Sequence, residues 1–156
     1  MDYAAILKFV NSMISLINNM DSKWESKAIK QLEYAKTYLN EEKPNEGLVR
    51  QALQHMETAF SFLDPYPMIK TESRIKRYNE LCVLIAYTHQ KLGDSDNIVD
   101  SWIGKVNIRY FPPILLKEID SYRYDRLIEE YRQNMCHNEE IQERIYEIIH
   151  NPFEMP

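Results

Sequence analysis

The sequence predicts an all-α chain of antiparallel helical hairpins, and three observations carry that expectation. Only three glycines occur in 156 residues, against an average usage of about 7%, and sheets and open loops draw on glycine at their turns. The seven prolines (Pro44, Pro65, Pro67, Pro112, Pro113, Pro152 and Pro156) fall between periodic segments, where a missing N–H and a fixed φ stop or start a helix instead of breaking one. Within those segments apolar residues recur at three-and-four spacing, which lines one face of an α-helix.

Residues 2 to 19 place Ile6, Val10, Met13, Ile14 and Ile17 on one stripe. Ser22 stands three residues before Glu25, a capping-box pattern, and Ala28, Leu32, Ala35 and Leu39 continue a second helix to about Asn40. After the polar break Glu41-Glu-Lys-Pro44, Asn45 caps a third helix that carries Leu48, Val49, Ala52, Leu53, Met56, Ala59, Phe60 and Leu63 and ends at Asp64-Pro-Tyr-Pro67. A fourth and longest helix starts near Met68, carries Ile75, Tyr78, Cys82, Ile85, Ala86 and His89, and stops at Gly93, the natural residue for a left-handed helix end. Asp94 to Asp96 cap a fifth helix whose Ile98, Val99, Trp102, Ile103 and Val106 are expected to face the core. Pro113 opens a sixth with Leu116, Ile119, Leu127, Ile128 and Tyr131, either continuous through Tyr122 or restarting near Ser121, and Asn138 caps a last one with Ile141, Ile145, Ile148 and Ile149. Seven or eight helices follow, in a single domain over 1–156: an N-terminal helix in 1–20, hairpins in 22–65 and 68–111, and C-terminal helices in 113–150. Short connections make sequential helices antiparallel neighbours, so the architecture is a superhelical stack or a compact bundle.

Composition narrows the function classes. Hydrophobic residues at 44% and charged residues at 28% are those of a folded chain. A net charge of −5 argues against nucleic-acid binding, whose main energy term is basic side chains neutralising phosphates. The start Met1-Asp-Tyr-Ala-Ala-Ile-Leu-Lys has an acid where a secretory signal carries positive charge, and no segment approaches the length of a membrane span, so neither export nor membrane insertion is expected. Two cysteines cannot build a disulfide framework, and Cys82 lies in the apolar run Leu81-Cys-Val-Leu-Ile85, which fits a reducing, cytoplasmic setting.

Two hairpins share a pattern. Ala86-Tyr-Thr-His89 is followed by Lys91-Leu-Gly93-Asp94 and then Val99, Ile103 and Val106; Ala35 and Tyr38 are followed by Ala52, Met56, Ala59 and Leu63-Asp-Pro65. Residues 27 to 112 thereby resemble a degenerate tetratricopeptide repeat, with Ala86 where helices cross closely and Gly93-Asp94 at the turn. The first hairpin departs from the repeat by extra residues around Lys43-Pro44, and the two units do not share one period. The resemblance implies a right-handed stack of hairpins that presents a groove to a peptide or a partner protein.

Motifs with chemistry are few. Glu147-Ile-Ile-His150 has a di-iron spacing, but such sites need a second pair and two further glutamates. In Cys136-His137 the two side chains diverge on a helix, and no paired Cys/His spacing accompanies them. No glycine-rich phosphate loop or nucleophile motif occurs, so neither a catalytic residue, a metal nor a cofactor is expected. Two surfaces are expected to bind a partner. Lys70, Arg74 and Arg77 recur as a basic stripe on the fourth helix, suited to an acidic protein or peptide; Tyr122, Arg123, Tyr124 and Arg126 interleave rigid aromatic area with charge. These features lean toward a non-enzymatic interaction module or adaptor, with two alternatives: a structural homo-oligomer completed by a second copy, or a helical enzyme whose site joins residues distant in sequence.

Overall fold

A computed structural model of the chain describes residues 3–17, 23–63, 72–106 and 115–135. The described residues form seven helices and no strand: α1 (Ala4–Ile17), α2 (Lys23–Leu39), α3 (Glu46–Leu63), α4 (Glu72–Lys91), α5 (Asp96–Ile103), α6 (Leu115–Ile119) and α7 (Ser121–Met135). The all-α expectation holds, and the boundaries follow the sequence signals closely. Asn45 caps α3 as its side-chain oxygen accepts from the Leu48 N–H at 2.9 Å. At the end of α4, Gly93 takes φ +78°, its N–H donates to Gln90 and the Asp94 N–H reaches back to the His89 carbonyl, both at 3.0 Å. That pair of bonds is a Schellman motif, which needs a left-handed residue at its centre. Gly93→Ala meets no atom within 4 Å, so its cost is backbone strain alone: thermal unfolding should shift down by about 1 kcal/mol, or roughly 2–4 °C.

The helices close a ring. α2 and α3 form a long hairpin in which Lys27 lies over the Phe62 ring at 5.5 Å and Tyr38 stacks on His55 at 5.6 Å, as antiparallel helices require. Small Ala28, Ala35, Ala52 and Ala59 are fully buried among Leu32, Met56 and Leu63 and let the two backbones approach. α3 packs on α4, where Phe60 meets Tyr78 at 4.9 Å and Thr88 sits 3.7 Å from the Met56 sulfur. α1 packs on both α2 and α4, with Phe9 edge-on to Tyr87 at 5.7 Å. The result is an up-down-up-down four-helix bundle. α1 is thus a full member of the core, joining α2 to α4, an arrangement that a stack of two consecutive hairpins does not contain.

α4 is the axis of the molecule. Residues 81 to 89 are buried at every position, as expected of a helix covered on all sides, and α1, α3, α5 and α6 surround it. The sequence stripe on this helix names only every third or fourth of those positions. Burying each large apolar side chain contributes roughly 1.5–3 kcal/mol, which makes the middle of α4 the most strongly held part of the chain.

Two expectations are corrected here. Ile98, expected in the core, is 41% exposed, because the short α5 turns Val99 and Ile103 to α4 and leaves Ile98 on its flank. Ser95, within the expected Asp94–Asp96 cap, occupies the N-cap position of α5 but makes no side-chain cap bond, and Asp94 bonds His89 and Arg50 instead. Of the two readings of the sixth segment, the restart near Ser121 is the one observed: at Asp120 the N–H still donates to Leu116 at 2.8 Å while the carboxylate accepts from the Arg123 N–H at 3.0 Å, ending α6 and capping α7. The predicted helix after Asn138 lies outside the described residues. None of the described helices is long and apolar enough to cross a membrane.

Candidate functional site

The structure separates the seven residues expected to bind a partner. Lys70 lies outside the described residues, as does the side chain of Arg74. Arg77 is 3% exposed and donates through Nε to the Leu16 carbonyl at 2.8 Å. That carbonyl belongs to the last turn of α1, where oxygens have no partner within the helix and the dipole favours a cation. Desolvation lowers the guanidinium from its ordinary range, and the charge of Glu25 opposes that shift. Glu25 is fully buried in the first turn of α2, the end that favours an anion. The basic stripe is therefore corrected at Arg77, whose charge joins α1, α2 and α4 inside the protein and is withheld from any partner.

The Tyr/Arg segment divides by helical phase. Tyr124 points inward at 3% exposed, and its hydroxyl has no hydrogen-bond partner among the described residues. Desolvation, with Glu80 and Asp125 adding to it, pushes the phenol up to about 12. Tyr122 points outward at 74% exposed, and Arg126, one turn further on the same face, is exposed as well. Arg123 sits on the flank and bridges to α5 through Asp100 at 3.0 Å. Of the four residues, Tyr122, Arg123 and Arg126 share one surface and Tyr124 does not.

That surface holds a cleft. Asp100, Ile103, Gly104 and Val106 from the α5 end and Arg123, Arg126 and Leu127 from α7 enclose about 260 Å³. Buried Ile103 and Val106 and half-buried Leu127 supply its apolar lining, beside the polar groups of Asp100, Arg123 and Arg126. Arg123 is neutralised by Asp100 across it, while Arg126 makes no ion pair among the described residues. A second cleft of about 330 Å³ lies where Tyr3 and Leu7 of the N-terminal segment face Leu39 and the loop through Lys43 and Pro44.

The densest polar constellation was not legible as such in the sequence. His89, 8% exposed, places Nδ1 2.7 Å from Asp94 and Nε2 3.3 Å from Glu57. Arg50 clamps the same Asp94 with two bonds of 2.9 and 3.2 Å and also bonds Glu46. Hydrogen bonds to Glu57 and Asp94 raise the imidazole above its ordinary value, and those from Arg50 and His89 hold the Asp94 carboxyl down at about 2. Its own spacing gives part of the signal, because the Schellman turn at Gly93 folds Asp94 back over His89. Arg50 and Glu57 come from the opposite helix, which no local pattern reveals.

This constellation holds α3 against the α4–α5 turn. With both ring nitrogens facing carboxylates the doubly protonated imidazole is favoured, and in that form it has no lone pair to act as a base. The carboxylates lie on opposite sides of the ring, so no one point is within coordination distance of all three groups, and among the described residues no group of His, Cys, Asp or Glu is placed to hold a metal. Glu147, His150, Cys136 and His137 lie outside the described residues. No family model, curated protein or solved structure matches the chain.

Proposed function

We propose that the chain is a non-enzymatic protein-interaction module whose contact surface is the α5–α7 face. The observation that carries this reading is Tyr122, a large ring 74% exposed on a helix whose other described aromatic and aliphatic side chains are buried or half-buried. It stands one turn from Arg126 and from the cleft that Arg126 lines. Tyrosine and arginine are the residue types that dominate binding energy at protein interfaces. The α1–α4 bundle supplies a base on which α5 and α6 pack through α4, and the Asp100–Arg123 bridge joins α5 to α7 within the face. Cys82, a buried cysteine packed in the apolar core, supports placing the module in a reducing compartment such as the cytoplasm.

A photo-crosslinking phenylalanine analogue at position 122 tests the reading, with the same analogue at Tyr34, 43% exposed on α2, as the comparison. Irradiation in cells should yield a discrete protein adduct from position 122 and not from position 34, and Tyr122→Ala should weaken capture of that protein at least about tenfold. An equal yield from the two positions, or no adduct from position 122, overturns it.

A further inference from the structure

We infer that the α5–α7 cleft receives an aliphatic side chain of a partner peptide with a carboxylate beside it, the carboxylate pairing with Arg126; this rests on the interaction role proposed above. Size comes first. At about 260 Å³ the cleft falls below the roughly 300–1,000 Å³ of sites that enclose a drug-sized molecule, and it suits one or two side chains presented on a chain. Ile103, Val106 and Leu127 line it with apolar surface, which favours an aliphatic group against them.

Charge decides the neighbour of that group. Among the described residues Asp100 is the one acid lining the cleft, and its carboxylate is taken by Arg123 at 3.0 Å. Arg126 lines the same cleft and makes no ion pair among the described residues, so its guanidinium is the cation set to meet a ligand there. A carboxylate set there is held by charge-assisted, two-pronged hydrogen bonds that guanidinium geometry favours. A basic partner would meet Arg126 as a repelling charge, and the net charge of −5 on the whole chain disfavours a nucleic acid. Tyr122, one turn away, adds rigid area for the residue on the far side of the carboxylate.

The test is selection of a random dodecapeptide library, displayed on phage, against the immobilised full chain, followed by fluorescence anisotropy of the enriched peptides. Enriched sequences should carry Asp or Glu within two residues of Leu, Ile, Val or Met, and Arg126→Glu should weaken their binding at least about tenfold, with a fall also on adding salt. Arg126 is exposed, so that variant keeps its fold, and a melting curve checks it. Enrichment of basic or uncharged peptides, or equal binding by the Arg126→Glu chain, overturns the inference while leaving the interaction role standing. No enrichment at all overturns it too, and crosslinking at position 122 then reads the interaction role separately.

Discussion

Arg77→Met should lower the unfolding free energy by about 3–5 kcal/mol, the loss expected when one partner of a buried charge pair is removed. The guanidinium sits between the last turn of α1 and the first turn of α2, and the thioether keeps much of its volume while removing both its charge and its donors. Two groups then lose what stabilised them. The Leu16 carbonyl loses its 2.8 Å donor, and Glu25, fully buried, loses the opposite charge that faces it. Set against a total stability of about 5–15 kcal/mol, that is enough to leave a substantial unfolded population. The measurement is a urea titration of wild type, Arg77→Met, Glu25→Gln and the double variant. The double variant should be more stable than Arg77→Met alone, because no buried charge remains uncompensated in it. Additive losses would show that the two residues act independently, and a loss under about 1 kcal/mol for Arg77→Met would place the guanidinium outside the structural role assigned to it.

The same residue marks the boundary of what the sequence discloses. Helix positions were legible because they follow local signals: apolar spacing for α1 to α3, Asn45 as a cap, Gly93 as a stop. The direction in which Arg77 points was not legible, since a basic residue three positions from another on a helix is consistent with an exposed stripe until the neighbours of that helix are known. α4 is covered on most sides, so a residue on it that looks like surface by period is buried by topology. The role of α1 was hidden for the same reason. Its amphipathic stripe says that it packs but not against what, and its place between α2 and α4 depends on contacts far apart in sequence.

The candidate surface shows the opposite balance. Tyr122 and Arg126 stood out by residue type, and their spacing of four already places them on one face. Tyr124, two positions from Tyr122, was grouped with them by composition, whereas a helix turns residues two apart to different sides. The cleft itself could not be foreseen, because half of it is contributed by Ile103, Gly104 and Val106 across the segment between α5 and α6. The His89 network is the further case: His89 and Asp94 were seen as a stripe residue and a cap, and only the packing of α3 brings Arg50 and Glu57 to them.

That network makes stability depend on pH in a direction that can be worked out. His89 is raised from 6.5 in the folded state, so folding takes up a proton there; its contribution is complete below pH 6.5 and is lost as pH rises through the raised value. Asp94 is lowered from 3.8 to about 2, so its contribution is present above 3.8 and is lost as pH falls toward 2. The two are satisfied together between these limits, on the acid side of neutrality. Glu80 acts in the same range: the residue is half-buried, yet desolvation pushes its carboxyl from 4.5 up to about 8, so it too makes stability fall as pH rises. Comparison with His89→Gln separates them, because Glu80 is common to both chains. Unfolding followed from about pH 4 to about pH 9 should show wild type more stable than His89→Gln by about 1–2 kcal/mol at the acid end, once exposure of Arg50 and Glu57 is allowed for. The difference should shrink toward zero as the imidazole loses its proton. A constant difference would mean that His89 contributes packing alone, and a difference that grows with pH would mean that the folded imidazole is neutral, reversing the sign derived from its two carboxylates.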